Sequence, residues 1–154
     1  MGGSALSDES TGLERRANSL ASSGRYAAAV HVQRRLVEAR EQSLGGGHPG
    51  TLAARHNLAR WTGEAGDAAG ARDQYAALLV ACERALGPEH PATLGTRTNL
   101  ASWTAAAGDK AAARDQYAAL VPVRERVSGP EHPDTLTARD NLAYWTREAD
   151  RSEN

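Results

Sequence analysis

The sequence predicts an all-α, right-handed α-solenoid of stacked antiparallel helix pairs, with seven helices in all. Three observations carry that prediction. A unit of 42 residues recurs along the chain: His48-Pro49, His90-Pro91 and His132-Pro133 share this spacing, as do Asn57-Leu58-Ala59, Asn99-Leu100-Ala101 and Asn141-Leu142-Ala143. Each unit holds two stretches with apolar residues three and four apart, the period of an amphipathic helix. Residues that start and stop helices flank those stretches.

Residues 45–86 and 87–128 are the two complete units, identical at 25 of 42 aligned positions. The first helix of each opens at the His-Pro pair, because proline suits the first helical position, where its missing N–H has no partner in any case. It closes at Ala65-Gly66 or Ala107-Gly108, since glycine accepts the left-handed conformation that ends a helix. Asp67 or Asp109 then caps the second helix by accepting orphan backbone N–H groups. Its apolar stripe in the earlier unit is Ala71, Tyr75, Leu78, Leu79, Cys82 and Leu86, and Gly87-Pro88 or Gly129-Pro130 ends it. Pro122 lies inside the second helix of the later unit, where a proline removes one hydrogen bond and crowds the preceding turn. A kink or break is expected near 118–122.

A shift of 42 residues toward the N-terminus exposes a degenerate first unit, 9–44. Ala17 aligns with Ala59, Gly24 with Gly66 and Glu41 with Glu83, giving helices over about 4–23 and 25–44. This unit has Arg15 where the others have asparagine. At the far end, 129–149 forms a capping half-unit of one helix over about 133–149. Residues 1–8 read as a disordered leader or a cloning scar, and 150–154 as a disordered tail. A single helix pair cannot bury both apolar faces, so pairs stack and share one continuous core. Ala59, Ala101 and Ala143, with Ala71 and Ala113, are small enough to let the helices approach.

Composition narrows the function classes. The chain has 154 residues and a formal net charge of −1, so nothing draws it to nucleic acid or to an anionic membrane surface. No stretch approaches the roughly 20 apolar residues that span a bilayer. Cys82 is the only cysteine, which excludes an intrachain disulfide and fits a reducing, cytoplasmic setting. Only one of the 18 basic residues is a lysine, Lys110. With heavy alanine and glycine use, that bias points to a bacterial, actinobacterial-looking source. No phosphate loop, nucleophile motif or metal signature is present, so no enzyme, catalytic residue, cofactor or metal is expected. His48, His90 and His132 sit one unit apart, too distant to share an ion, and read as caps.

Leu-Ala in the first helix, Gly-Asp at the turn, and Ala71 and Tyr75 in the second helix resemble a tetratricopeptide repeat. The usual unit of about 34 residues is lengthened here to 42. With Gly-Pro-Glu-His-Pro between units and Asn-Leu-Ala in the first helix, the pattern resembles the kinesin light chain subgroup. The likeness spans 45–149 strongly and 9–44 weakly. It implies about three units plus a capping helix, acting as a non-enzymatic scaffold that binds a peptide or protein segment in its concave groove. In that family the position of the recurring asparagine faces the groove and holds ligand, which assigns Asn57, Asn99 and Asn141 to peptide binding.

An amide offers both a donor and an acceptor to an extended backbone, whatever the side chains of the peptide. The plainer alternative is that each asparagine braces the neighbouring unit. Helical spacing puts His56 and Arg60, Thr98 and Ser102, and Asp140 and Tyr144 on the same face. These differ between units, as specificity positions would. Trp61, Trp103 and Trp145 follow a core leucine by three residues and read as packing between helices. Arg55, Arg97 and Arg139 read as framework, laid on a ring or paired with a carboxylate. The competing function is a self-associating structural or sensor segment of a larger signalling protein, a homodimer formed through the last helix.

Overall fold

The computed structural model describes the backbone of residues 2–152 and the side chains of residues 8–152. Seven helices follow one another: α1 (Gly2–Ser22), α2 (Tyr26–Leu44), α3 (Pro49–Glu64), α4 (Ala68–Leu86), α5 (Pro91–Ala106), α6 (Lys110–Ser128) and α7 (Pro133–Ser152). There is no strand among the described residues. Each helix packs on the next in sequence, from α1 on α2 through to α6 on α7.

The helix boundaries are the ones the punctuating residues dictate. Gly66 and Gly108 adopt φ of +103° and +100°, a conformation that costs an L side chain strain but glycine none. Asp67 accepts from the Gly70 N–H at 2.8 Å, and Asp109 accepts from the Ala112 N–H at 3.0 Å. His48, His90 and His132 are caps as well. Their Nδ1 atoms accept from the N–H groups of Gly50, Ala92 and Asp134 at 3.0, 3.1 and 3.2 Å.

The core is a row of repeated clusters. Leu52, Ala59, Tyr75, Leu78 and Cys82 form one, with Leu100 and Trp103 of α5 packed against it. Leu94, Ala101, Tyr117, Leu120, Val121 and Ala138 form the next, closed by Leu142 and Trp145. Ala59, Ala71, Ala101 and Ala113 are fully buried at the helix crossings. Trp61 is buried with Ala17, Ala29 and Val32. Gly63 lies directly beneath Trp103: a Cβ at that glycine would sit 2.3 Å from the ring's Cη2.

Four expectations change. α6 runs unbroken through Pro122, so no interruption occurs near 118–122. Ala118 and Pro122 are both exposed, so the ring and the unbonded Ala118 carbonyl face water while Tyr117, Leu120 and Val121 hold the opposite face in the core. α1 begins at Gly2, two residues before the start expected from the alignment, so residues 2–8 are helical instead of a disordered leader. α7 continues through Asp150 to Ser152, because this unit has no glycine at the position that stops α3 and α5. Residue 1 of the expected leader and residues 153–154 of the expected tail lie outside the described residues. Ala143 is exposed where Ala59 and Ala101 are buried, since no further described helix packs on α7.

Candidate functional site

The three asparagines occupy the same turn of α3, α5 and α7. None braces a neighbouring unit through a described bond. Asn99 Nδ2 donates to the Gly95 carbonyl at 2.9 Å, and Asn141 Nδ2 donates to the Thr137 carbonyl at 3.0 Å. Each amide is thus anchored on its own helix, four residues back. The anchored atom must be the nitrogen, because its partner is a carbonyl oxygen. That orientation leaves Oδ1 and one N–H for another partner. Asn57 lines a cavity between α3, α4 and α5.

The neighbouring positions divide into committed and free. His56 packs edge-on against the Tyr75 ring, centroids 5.4 Å apart. Burial, reinforced by the Arg60 charge, holds the His56 pKa below the ordinary 6.5 and favours the neutral ring. Burial pushes Tyr75 up to about 12, against a smaller opposing effect of Arg60. Its hydroxyl donates to the His56 carbonyl at 3.4 Å. Ser102 Oγ pairs with the Tyr117 hydroxyl at 2.8 Å, and burial raises the Tyr117 pKa although that bond opposes the shift. Thr98 accepts from Arg124 Nη2 at 3.2 Å. Arg60 and Asp140 are exposed, and Tyr144 is half exposed with its ring edge-on to Trp145. Thr98 and Ser102 therefore have partners within the fold, whereas Arg60, Asp140 and Tyr144 are open to a ligand.

The repeated arginines are framework of the second kind anticipated. Arg55 pairs with Glu41 at 3.3 Å, Arg97 with Glu83 at 2.9 Å and Arg139 with Glu125 at 2.6 Å. Each pair ties the second helix of one unit to the first helix of the next. Arg72 with Asp73, and Arg114 with Asp115, are paired neighbours on the outer surface.

Residues 8–77 and 93–134 both match the tetratricopeptide repeat, and together they span well over half of the sequence. The chain belongs to the tetratricopeptide repeat family. Among solved structures this repeat protein is similar to the Podosopora anserina putative kinesin light chain with nearly identical TPR-like repeats. The TM-score is 0.76 at 24% identity, over 88% of this chain and 64% of that one. It is also similar to BtubC (BKLC) from P. vanneervenii, with a TM-score of 0.77 at 17% identity, over 87% of this chain and 54% of that one. The repeat protein thus spans less than two thirds of either structure. No curated protein matches its sequence. Its fold is a protein-interaction repeat scaffold of the kinesin-light-chain type. No helix among the described residues is long and apolar enough to cross a membrane. No three His, Cys, Asp or Glu side chains among them gather as a metal site would require.

Sequence reasoning missed two features of the site. One is the acid half of each clamp: Glu41, Glu83 and Glu125 recur at 42 residues as faithfully as their arginines. The other is the cavity of about 540 Å³ between α3, α4 and α5, walled by Leu52, Leu78, Cys82 and Leu86 with His56 and Asn57. Its signal was one column of the repeat, where positions 40, 82 and 124 read Arg, Cys, Arg.

Proposed function

We propose that the repeat protein binds an extended peptide or protein segment of a partner along the face formed by α3, α5 and α7, with Asn57, Asn99 and Asn141 pairing the peptide backbone. The observation that supports this most is the anchoring of Asn99 and Asn141. An amide whose nitrogen is tied to its own helix presents its oxygen outward without needing to be ordered on binding, which lowers the entropic cost of each contact. Two such acceptors, with Asn57 at the equivalent place in the unit before them, suit a ligand with a regular backbone repeat, and this is strand-like recognition without side-chain dependence. Arg60, Asp140 and Tyr144 add a mixed-charge, partly aromatic surface that discriminates among ligands. Arg15 stands in the place of a fourth asparagine, so ligand favours the C-terminal part of the groove.

The test is capture of partners from the native cell by the wild-type chain and by the Asn99→Ala/Asn141→Ala double variant, followed by calorimetry with the identified segment. Two lost hydrogen bonds of about 1 kcal/mol each predict roughly thirty-fold weaker binding. Unchanged affinity with an intact fold would refute the groove assignment. A second reading, self-association through α7, draws support from Leu136 and Tyr144, which are 41% and 48% exposed on that helix. Light scattering that finds a strict monomer at high concentration would exclude it.

A further inference from the structure

The cavity beside Cys82 is explained by comparing the three units position by position. In the first unit the equivalent residue is Arg40. It crosses from α2 to both flanking helices, donating from Nη2 to Glu14 of α1 at 2.7 Å and from Nη1 to the Gly50 carbonyl of α3 at 3.0 Å. In the third unit the equivalent is Arg124, 6% exposed, which reaches Thr98 of α5 at 3.2 Å and Asp134 of α7 at 3.1 Å. Glu14 and Thr98 are equivalent positions, and so are Gly50 and Asp134. The same socket is therefore filled twice by an arginine that straps three helices together. In the middle unit the corresponding three residues are Cys82, His56 and Ala92. The arginine stem is gone, and the space it would occupy is the cavity of about 540 Å³.

We infer that this vacated socket is a binding site for an uncharged, largely apolar small molecule. The volume falls within the roughly 300–1,000 Å³ of small-molecule sites. The walls are Leu52, Leu78, Leu86 and the Cys82 thiol. The few polar groups are His56, Asn57, His90, whose Nδ1 already accepts from the Ala92 N–H at 3.1 Å, and Thr96, whose hydroxyl donates to the Ala92 carbonyl at 2.9 Å. No carboxylate lines the cavity, unlike the sockets that hold Arg40 and Arg124, so a cation entering here would lose its water without compensation. His56 is held neutral by its burial, and nearby Arg60 adds a further penalty for positive charge. The cavity shares His56 and Asn57 with the proposed peptide-binding face, whereas Asn99 and Asn141 lie outside its lining, so variants at those two asparagines separate the two readings.

The test uses the full chain and the uncharged fluorescent probe N-phenyl-1-naphthylamine. The wild type should bind it saturably at one site per chain. Cys82→Arg refills the socket with an arginine stem and offers its guanidinium the Ala92 carbonyl, the counterpart of the Arg40 bond to Gly50. Gly95→Met fills the cavity from the α5 wall, where a Cβ meets no atom within 4 Å. Each variant should weaken probe binding at least ten-fold with helicity unchanged by circular dichroism, while Asn99→Ala/Asn141→Ala leaves it unchanged. Should Cys82→Arg fail to fold, Gly95→Met decides alone. A wild type that does not bind the probe, or binding that Gly95→Met leaves intact, overturns the assignment.

Discussion

Replacing Gly63 with alanine tests how the units are seated on one another. In most helices this change stabilises, by about 1 kcal/mol, because glycine has more backbone freedom to lose. Here the added Cβ would lie 2.3 Å from Cη2 of Trp103 and 2.5 Å from two further ring atoms, whereas ordinary contact begins at 3.4 Å. The rigid indole must retreat by roughly 1 Å from the α3 surface, and overpacking of that kind costs about 1–3 kcal/mol. Ala21 and Ala105 hold the equivalent place in the flanking units. The array therefore accommodates a methyl there once the ring is displaced, which keeps the cost toward the lower end. Set against the glycine gain of about 1 kcal/mol, the net expectation is a loss of up to about 1 kcal/mol. At roughly 2–4 °C per kcal/mol for a chain of this size, the midpoint of thermal unfolding followed at 222 nm should fall by up to about 4 °C. Gly95→Ala is the matched control, since a Cβ there meets nothing within 4 Å, and its Tm should rise by about 2–4 °C. A Gly63→Ala Tm equal to or above wild type would refute the argument that Trp103 rests on the bare glycine.

Pro122→Ala restores the missing bond to the Ala118 carbonyl at an exposed position and should stabilise by about 1–3 kcal/mol, read as a higher urea midpoint. His56 has a folded pKa below its unfolded 6.5, so the unfolded chain takes up the proton first. Stability is full above pH 6.5 and declines as pH falls below it, and His56→Phe should flatten that decline in urea titrations run across the acid range. Tyr75 acts in the opposite sense: its pKa near 12 lies above the unfolded 10, so stability falls as pH rises from 10 toward 12, and Tyr75→Phe should remove part of that loss. Glu83→Gln breaks one half-exposed clamp and should cost about 0.2–1 kcal/mol at low salt and less in 1 M NaCl, as measured by urea unfolding.

What the sequence made legible was whatever recurs. The His-Pro caps, the Asp67 and Asp109 caps, the stopping glycines and the buried alanines are each repeated with the unit, and a local rule assigns each its place. Pro122 defeated a local rule, because the cost of a helical proline depends on whether its ring faces water or packing, and only the tertiary arrangement fixes that. The first residues carried two conflicting signals, an alignment with the later units that starts a helix near residue 4 and a composition that reads as a leader over 1–8, and the helix prevails from Gly2. The asparagine ladder was visible as a column, but its bonds to Gly95 and Thr137 were not, since an amide can turn toward its own helix or away from it. The socket at Cys82 lay hidden for the opposite reason. It is marked by a residue that fails to recur, and such a departure looks like noise until Arg40 and Arg124 are seen to span three helices.

The order in which helices touch has a kinetic consequence. Every major packing surface joins elements adjacent in the chain, from α1 on α2 to α6 on α7. Most of the core forms between neighbours in sequence, so little loop-closure entropy is spent before contacts form. Proteins of this kind reach the native state in roughly microseconds to milliseconds. During synthesis each helix pair can dock as it leaves the ribosome, with the units already made serving as the template for the next.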